Sequence, residues 1–190
     1  MGEKGADDHL VDAARAGEPD AWRELYEAHA GRLLAWLRLR PTGDSATTAE
    51  DVAAEAWLIA AGKIADFHGT SSDFAGWLFG IARNLSVRAK EKSDRRQTHP
   101  GDAMHLEHHG DAVPDPTLVI DDQSWLRDAI ASLPPRERDA VGLVDGLGMD
   151  TLTAAEALGI SAVALRVARH RGLRRLRRLS DGRETLPAPA

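Results

Sequence analysis

Trp77-Leu78-Phe79-Gly80-Ile81-Ala82-Arg83-Asn84 places two large aromatic side chains just ahead of a guanidinium and a carboxamide. Rings of this kind take up unstacked bases, and neighbouring cations follow the phosphate backbone of a single strand. Arg88, Lys90, Lys92, Arg95 and Arg96 continue the basic run against only Glu91 and Asp94. Far downstream, Arg166, Arg169, Arg171, Arg174, Arg175, Arg177 and Arg178 lie between Ile160 and Leu179 with no carboxylate among them. An arginine fork bonds guanine edges bidentately and also neutralises phosphate. The net charge is −6, and the stretch from Gln97 to Asp122 holds six acids and no lysine or arginine. Charge segregated in this way suits a chain that meets nucleic acid with two faces and protein with others.

Other chemistries find less support. The chain has no cysteine, which excludes disulfides and thiolate metal sites and fits a reducing, cytoplasmic setting. It shows no glycine-rich phosphate loop, no His-Glu-x-x-His and no elbow around a nucleophilic serine, so catalysis is not expected. His99, His105, His108 and His109, with Glu107 and Asp111, have zinc-compatible donors. They fall in a stretch broken by proline and glycine, however, and neither a metal site nor a cofactor is expected. The polar N-terminus does not read as a signal peptide, and the apolar run from Val52 to Ala65 is too short and too interrupted to insert in a membrane.

The elements that must position these residues read as helices throughout, an all-α chain of two small helical domains. Apolar spacing and punctuation predict helices over Asp8 to Ala16, Pro19 to Arg40, Thr48 to Asp66 and Ser71 or Ser72 to Lys92. Pro41-Thr42-Gly43-Asp44 reads as a turn. Residues 8–92 form the first expected domain, 93–116 a flexible acidic linker, 117–180 the second domain and 181–190 a disordered tail. In the second domain a helix runs from Thr117 to Ser132, and another starts at Pro134-Pro135 and ends near Asp145-Gly146. Thr151 to Leu158, a turn at Gly159, Ser161 as N-cap and a long helix from Ala162 to Leu179 have the order of a helix-turn-helix. Leu165, Ala168, Gly172, Leu176 and Leu179 share one face of that last helix.

Several motifs occur in a fixed order: Ala14-Arg15-Ala16-Gly17 through Leu25-Tyr26, Ala49-Glu50-Asp51-Val52, the Trp77 to Asn84 segment, Leu133-Pro134-Pro135-Arg136-Glu137-Arg138, and the helix-turn-helix. Together they resemble the extracytoplasmic-function (ECF) group of bacterial RNA polymerase sigma factors, in the sigma-70 family. The resemblance covers about Leu10 to Leu179. It implies a protein that binds core RNA polymerase, recognises −10 and −35 promoter DNA and helps to melt it, with an anti-sigma factor as a further partner. By position, Glu50, Asp51, Glu55 and Leu58 match the segment that binds the polymerase clamp helices. Phe67, His68, Ser72 and Asp73 match the loop that captures an unstacked −10 base, and Trp77, Arg83, Asn84 and Arg88 the helix that holds the strand. Ser161, Arg166, Arg169, His170, Arg171 and Arg174 match the turn and helix that read the −35 element.

Three positions depart from the family pattern. Ala54 stands where glutamine is usual, Thr153-Ala154-Ala155 replaces Glu-Ile-Ala, and Val167-Ala168-Arg169 replaces Ser-Arg-Leu. Plainer roles stay open for several residues: Trp77 and Phe79 suit a core, Asn84 suits local bonds, and Glu50 and Asp51 suit a helix N-terminus. A helix-turn-helix repressor or activator that binds duplex DNA without polymerase is the alternative function.

Overall fold

The computed structural model describes residues 4–40, 47–98 and 120–184. Those residues form helices and turns, with no strand among them. The first unit comprises α1 (Lys4–Arg15), α2 (Pro19–Arg38), α3 (Ala49–Lys63) followed by a 3-10 turn (Ile64–Asp66), and α4 (Ser71–Thr98). The second comprises α5 (Ile120–Ala131), α6 (Pro135–Val141) running into a π turn (Gly142–Gly146), α7 (Thr151–Leu158) and α8 (Ala162–Glu184).

Local chemistry sets these limits. Gly17 at φ +86° turns the chain out of α1, and Pro19 opens α2 where its missing N–H costs nothing. Thr48 and Asp51 form a reciprocal capping box on α3: the Asp51 N–H donates to the Thr48 hydroxyl at 3.1 Å and the Thr48 N–H to the Asp51 carboxylate at 3.0 Å. The same pairing recurs at α4, where the Thr70 N–H donates to Asp73 at 2.8 Å. Thr70 therefore caps this helix, and Ser71 and Ser72 lie just inside it. α7 starts on the Asp150 carboxylate, which accepts from the N–H groups of Leu152 and Thr153.

Four expected boundaries move. α1 begins at Lys4, before Asp8. α4 runs on to Thr98 rather than ending at Lys92, because Ser93 lands on its buried face, 2% exposed. The expected linker thus begins inside a helix, and its remainder, with the four histidines, lies outside the described residues. α8 continues to Glu184, so the first residues of the expected tail are helical; residues 185–190, and the turn at 41–44, are also outside the description.

One apolar core runs through both units. Leu25, Leu33, Trp36, Leu37, Val52, Phe74, Leu78 and Phe79 fill the first; Leu143, Ala154, Leu158 and Leu165 fill the second. Leu179 is 45% exposed and leaves the apolar face assigned to α8. Gly172 supplies what the helix needs there: a Cβ would sit 2.8 Å from Val141 and 3.1 Å from the Glu137 carbonyl, so α6 and α8 cross closely because this residue has no side chain.

Candidate nucleic-acid and protein interfaces

α2 and α3 diverge to leave an open cavity of about 860 Å³, lined by Trp22, Tyr26, Ala53, Ala54, Trp57 and Leu58 among others. Leu58 is 74% exposed and Tyr26 54%, although Tyr26 rests on Trp57 with ring centroids 5.1 Å apart. Large exposed apolar side chains flanking a groove are an arrangement suited to receiving an apolar helix or strand. Glu50 lines the rim, where Arg38 donates two bonds to its carboxylate at 3.1 and 2.6 Å. Those bonds hold the Glu50 carboxyl below its usual range. Asp51 is lowered too, by the Thr48 backbone and hydroxyl bonds, so it does serve the helix N-terminus. Glu55 is exposed on α3, outside the groove lining.

The second predicted cluster divides. Phe67 is 8% exposed and stacks on Trp77, with centroids 4.7 Å apart and planes 24° apart, and meets Phe74 edge-on. The Arg15 guanidinium donates to the Phe67 carbonyl at 2.5 Å, tying this corner to α1. Phe67 is therefore packed into the core at the edge of this corner. Phe79 is fully buried, as the core reading has it, whereas Trp77 is half-buried. Asp73 serves the α4 cap and Ser72 shares a hydroxyl contact with Thr70 at 2.7 Å. His68, Asn84 and Arg88 are exposed, and Arg83 is half-buried. Phe67, Asp73, Trp77 and Asn84 nevertheless line one recess of about 420 Å³ together, with Glu156 of α7 also in its lining.

α7 and the first five turns of α8 meet at 96°, the geometry of a helix-turn-helix. Gly159 makes the turn at φ +61°, and the Ser161 hydroxyl accepts from the Ala164 N–H at 3.2 Å. The α8 face turned away from the core carries Arg166, His170, Arg171 and Arg174, all exposed. Arg169 differs: Asp145 of the π turn accepts two bonds from its guanidinium, at 2.8 and 2.6 Å. No sequence pattern pointed to this partner, because Asp145 lies 24 residues away in a turn.

Two further features escaped sequence reading. Arg40 lies over the Trp36 ring at 4.6 Å and pairs with Asp139 of α6 at 2.6 Å. Both side chains are nearly buried, at 9% and 6% exposed. Burial raises the Asp139 carboxyl against the opposing pull of Arg40, Arg138 and Arg83. Thr153 and Ala157 pack on the glycines of α4, which gives Thr153 of the departing segment a structural use. The Arg40–Asp139 pair joins positions 99 residues apart, so no local periodicity betrays it. Among the described residues no group of three or more histidines and carboxylates could hold a metal ion, and no single helix is long and apolar enough to cross a membrane.

The Sigma-70 region 2 family model matches residues 25–96, and the Sigma-70, region 4 model matches residues 123–176. The chain is 31% identical over 160 residues to ECF RNA polymerase sigma factor SigF of Caulobacter vibrioides, covering 84% of this chain and 86% of that protein. It is 30% identical over 171 residues to ECF RNA polymerase sigma factor BldN of Streptomyces coelicolor, covering 90% of this chain and 64% of that longer one. Among solved structures, CnrH in complex with the cytosolic domain of CnrY superposes with a TM-score of 0.67 at 21% identity, covering 93% of this chain and 98% of that one.

Proposed function

Because the chain belongs to the ECF sigma factors of the sigma-70 family, we propose a division of labour among its helices. The α2–α3 groove with Leu58 docks on core RNA polymerase, Trp77, Arg83, Asn84 and Arg88 hold the −10 strand, and Arg166, His170, Arg171 and Arg174 engage the −35 element. RNA synthesis itself stays with the polymerase, so the site of action is the cytoplasm. The observation that carries this reading is the open apolar groove beside Leu58, on the same chain as a helix-turn-helix with exposed arginines. A repressor acting alone has use for the second feature and none for the first.

The test is gel filtration with bacterial core polymerase, followed by transcription from genomic fragments. Co-elution and discrete new start sites support the proposal. Specific duplex binding by the free protein without co-elution moves the assignment to a repressor. The double variant Arg83→Glu with Asn84→Ala should still co-elute yet lose open complexes, read by permanganate reactivity of unpaired thymines. Unchanged melting would remove α4 from this role. An anti-sigma protein that covers the groove is the remaining partner; pull-downs across stress conditions that recover polymerase and never a masking protein count against it.

A further inference from the structure

We propose that Val163 and Val167 of α8 read the C5-methyl groups of two thymines in the −35 duplex, and that Arg166 reads the guanine of a G·C pair between them. The inference deepens the −35 assignment above and rests on it.

Val163, Arg166, Val167 and His170 stand at i, i+3, i+4 and i+7, so they form one stripe along α8, and all four are exposed. Leu165 and Gly172 are buried on the other side of the helix. Nothing in the fold calls for valine in the stripe. An exposed valine buries little surface on folding, and a β-branched residue forms helix less readily than alanine. Two such residues one turn apart run against both solvation and helix propensity. A contact made only in a complex accounts for them.

Their surroundings say what that partner is. Seven arginines and no carboxylate lie between Ile160 and Leu179, and Arg166, His170 and Arg174 border the valines on the exposed side. An apolar pair set among cations suits a surface that is apolar at its floor and anionic along its rims. The major groove over a thymine is such a surface, because the C5-methyl is the apolar group on that base edge and phosphates flank it. Valine suits this contact further, since its branched β-carbon leaves one strongly preferred rotamer in a helix and little freedom to lose.

Spacing gives the order of the bases. At a rise of 1.5 Å per residue, Val163 and Val167 are roughly 6 Å apart along the axis, about two base-pair steps of 3.4 Å. Arg166 falls between them. Arg169 does not compete for the same guanine, because Asp145 holds it through two bonds at 2.8 and 2.6 Å. The element that fits the stripe therefore carries two T·A pairs about two steps apart with a G·C pair between. Val167 also lines a recess of about 580 Å³ with Pro134, Pro135 and Ala164, whereas Val163 is not in its lining. That difference lets a protein occupant be told from DNA.

The test uses the full-length chain bound to core polymerase. A duplex pool randomised over the −35 region is selected for binding, and the recovered elements are sequenced. Each enriched thymine is then replaced by deoxyuridine, which removes the methyl and keeps the pairing, and affinity is read by fluorescence anisotropy. Two replacements should each weaken binding about fourfold, the worth of one buried methyl group. Val163→Ala should abolish the penalty at one thymine and Val167→Ala at the other, with helicity retained because both positions are exposed. 7-Deazaguanine at the intervening pair should weaken the parent and leave Arg166→Ala unchanged. No enriched thymine, deoxyuridine without effect, or penalties that persist in both valine variants would each overturn the proposal. So would lost polymerase co-elution in Val167→Ala with thymine dependence intact, which would give this face to a protein. Failure of the sigma-factor reading looks different: polymerase would not co-elute, while the free protein put through the same selection would still lose its thymine dependence in the valine variants.

Discussion

Arg169 and Arg166 sit three positions apart on α8 with the same chemistry, yet only one is at liberty. Asp145 holds Arg169 bidentately, whereas Arg166 is exposed. A bidentate arginine–guanine contact contributes about 1–3 kcal/mol of discrimination. Arg166→Ala should therefore weaken binding to the −35 duplex by about tenfold, measured by fluorescence anisotropy with the polymerase-bound protein, and Arg169→Ala by much less. Equal losses would mean that Asp145 lets go on DNA. His29 offers a pH-dependent test. Burial, aided by Arg32, holds its imidazole below the usual value, and its Nδ1 has no hydrogen-bond partner beside Phe74. The unfolded chain takes up this proton near pH 6.5 while the folded chain resists it. Stability is thus fully present above about pH 6.5 and lost as pH falls through the lower folded value. Urea midpoints of the parent should drop more steeply from pH 7.5 to 5.5 than those of His29→Phe. At this scale the sequence was legible by residue type and not by partner. The arginines and aromatics were evident, but whether Phe67 is stacked or Arg169 is paired depends on contacts made across the fold.

Among the elements, α3 carries two separable burdens. Its N-terminus is fixed by the Thr48–Asp51 box, and its exposed middle presents Leu58 to the groove. Thr48→Ala should cost about 1 kcal/mol in chemical denaturation, the usual effect of losing such a cap. Leu58→Asp should leave that midpoint unchanged, since the side chain is 74% exposed, and lower core-polymerase affinity by at least tenfold if it enters an apolar contact. A midpoint that falls with Leu58→Asp would place Leu58 in the fold instead of the interface. Helix order and the helix-turn-helix were readable because caps, prolines and glycines act within a few residues. α7 was found at its observed limits for that reason. The end of α4 was placed too early because Ser93, a polar residue, breaks the apolar pattern although it is buried.

Across the whole molecule the apolar core is continuous, and Arg40–Asp139 stands between the units. Removing one member of a buried pair strands the other, at a cost of about 3–5 kcal/mol. Calorimetry should show one cooperative transition for the parent and two for Asp139→Ala, as the units uncouple. A single unshifted transition in that variant would assign the pair no such role. No local pattern announces an arrangement of this kind, in which α4 meets α7 across more than seventy positions of sequence. That separation has a consequence in time. Chains grow from the N-terminus at about 5–20 residues per second. The helix carrying Trp77 and Asn84 is complete at Thr98, and α7, which packs on it, at Leu158. For the roughly 3–12 s of synthesis between them, α4 of a nascent chain lacks the α7 contact that the finished protein makes.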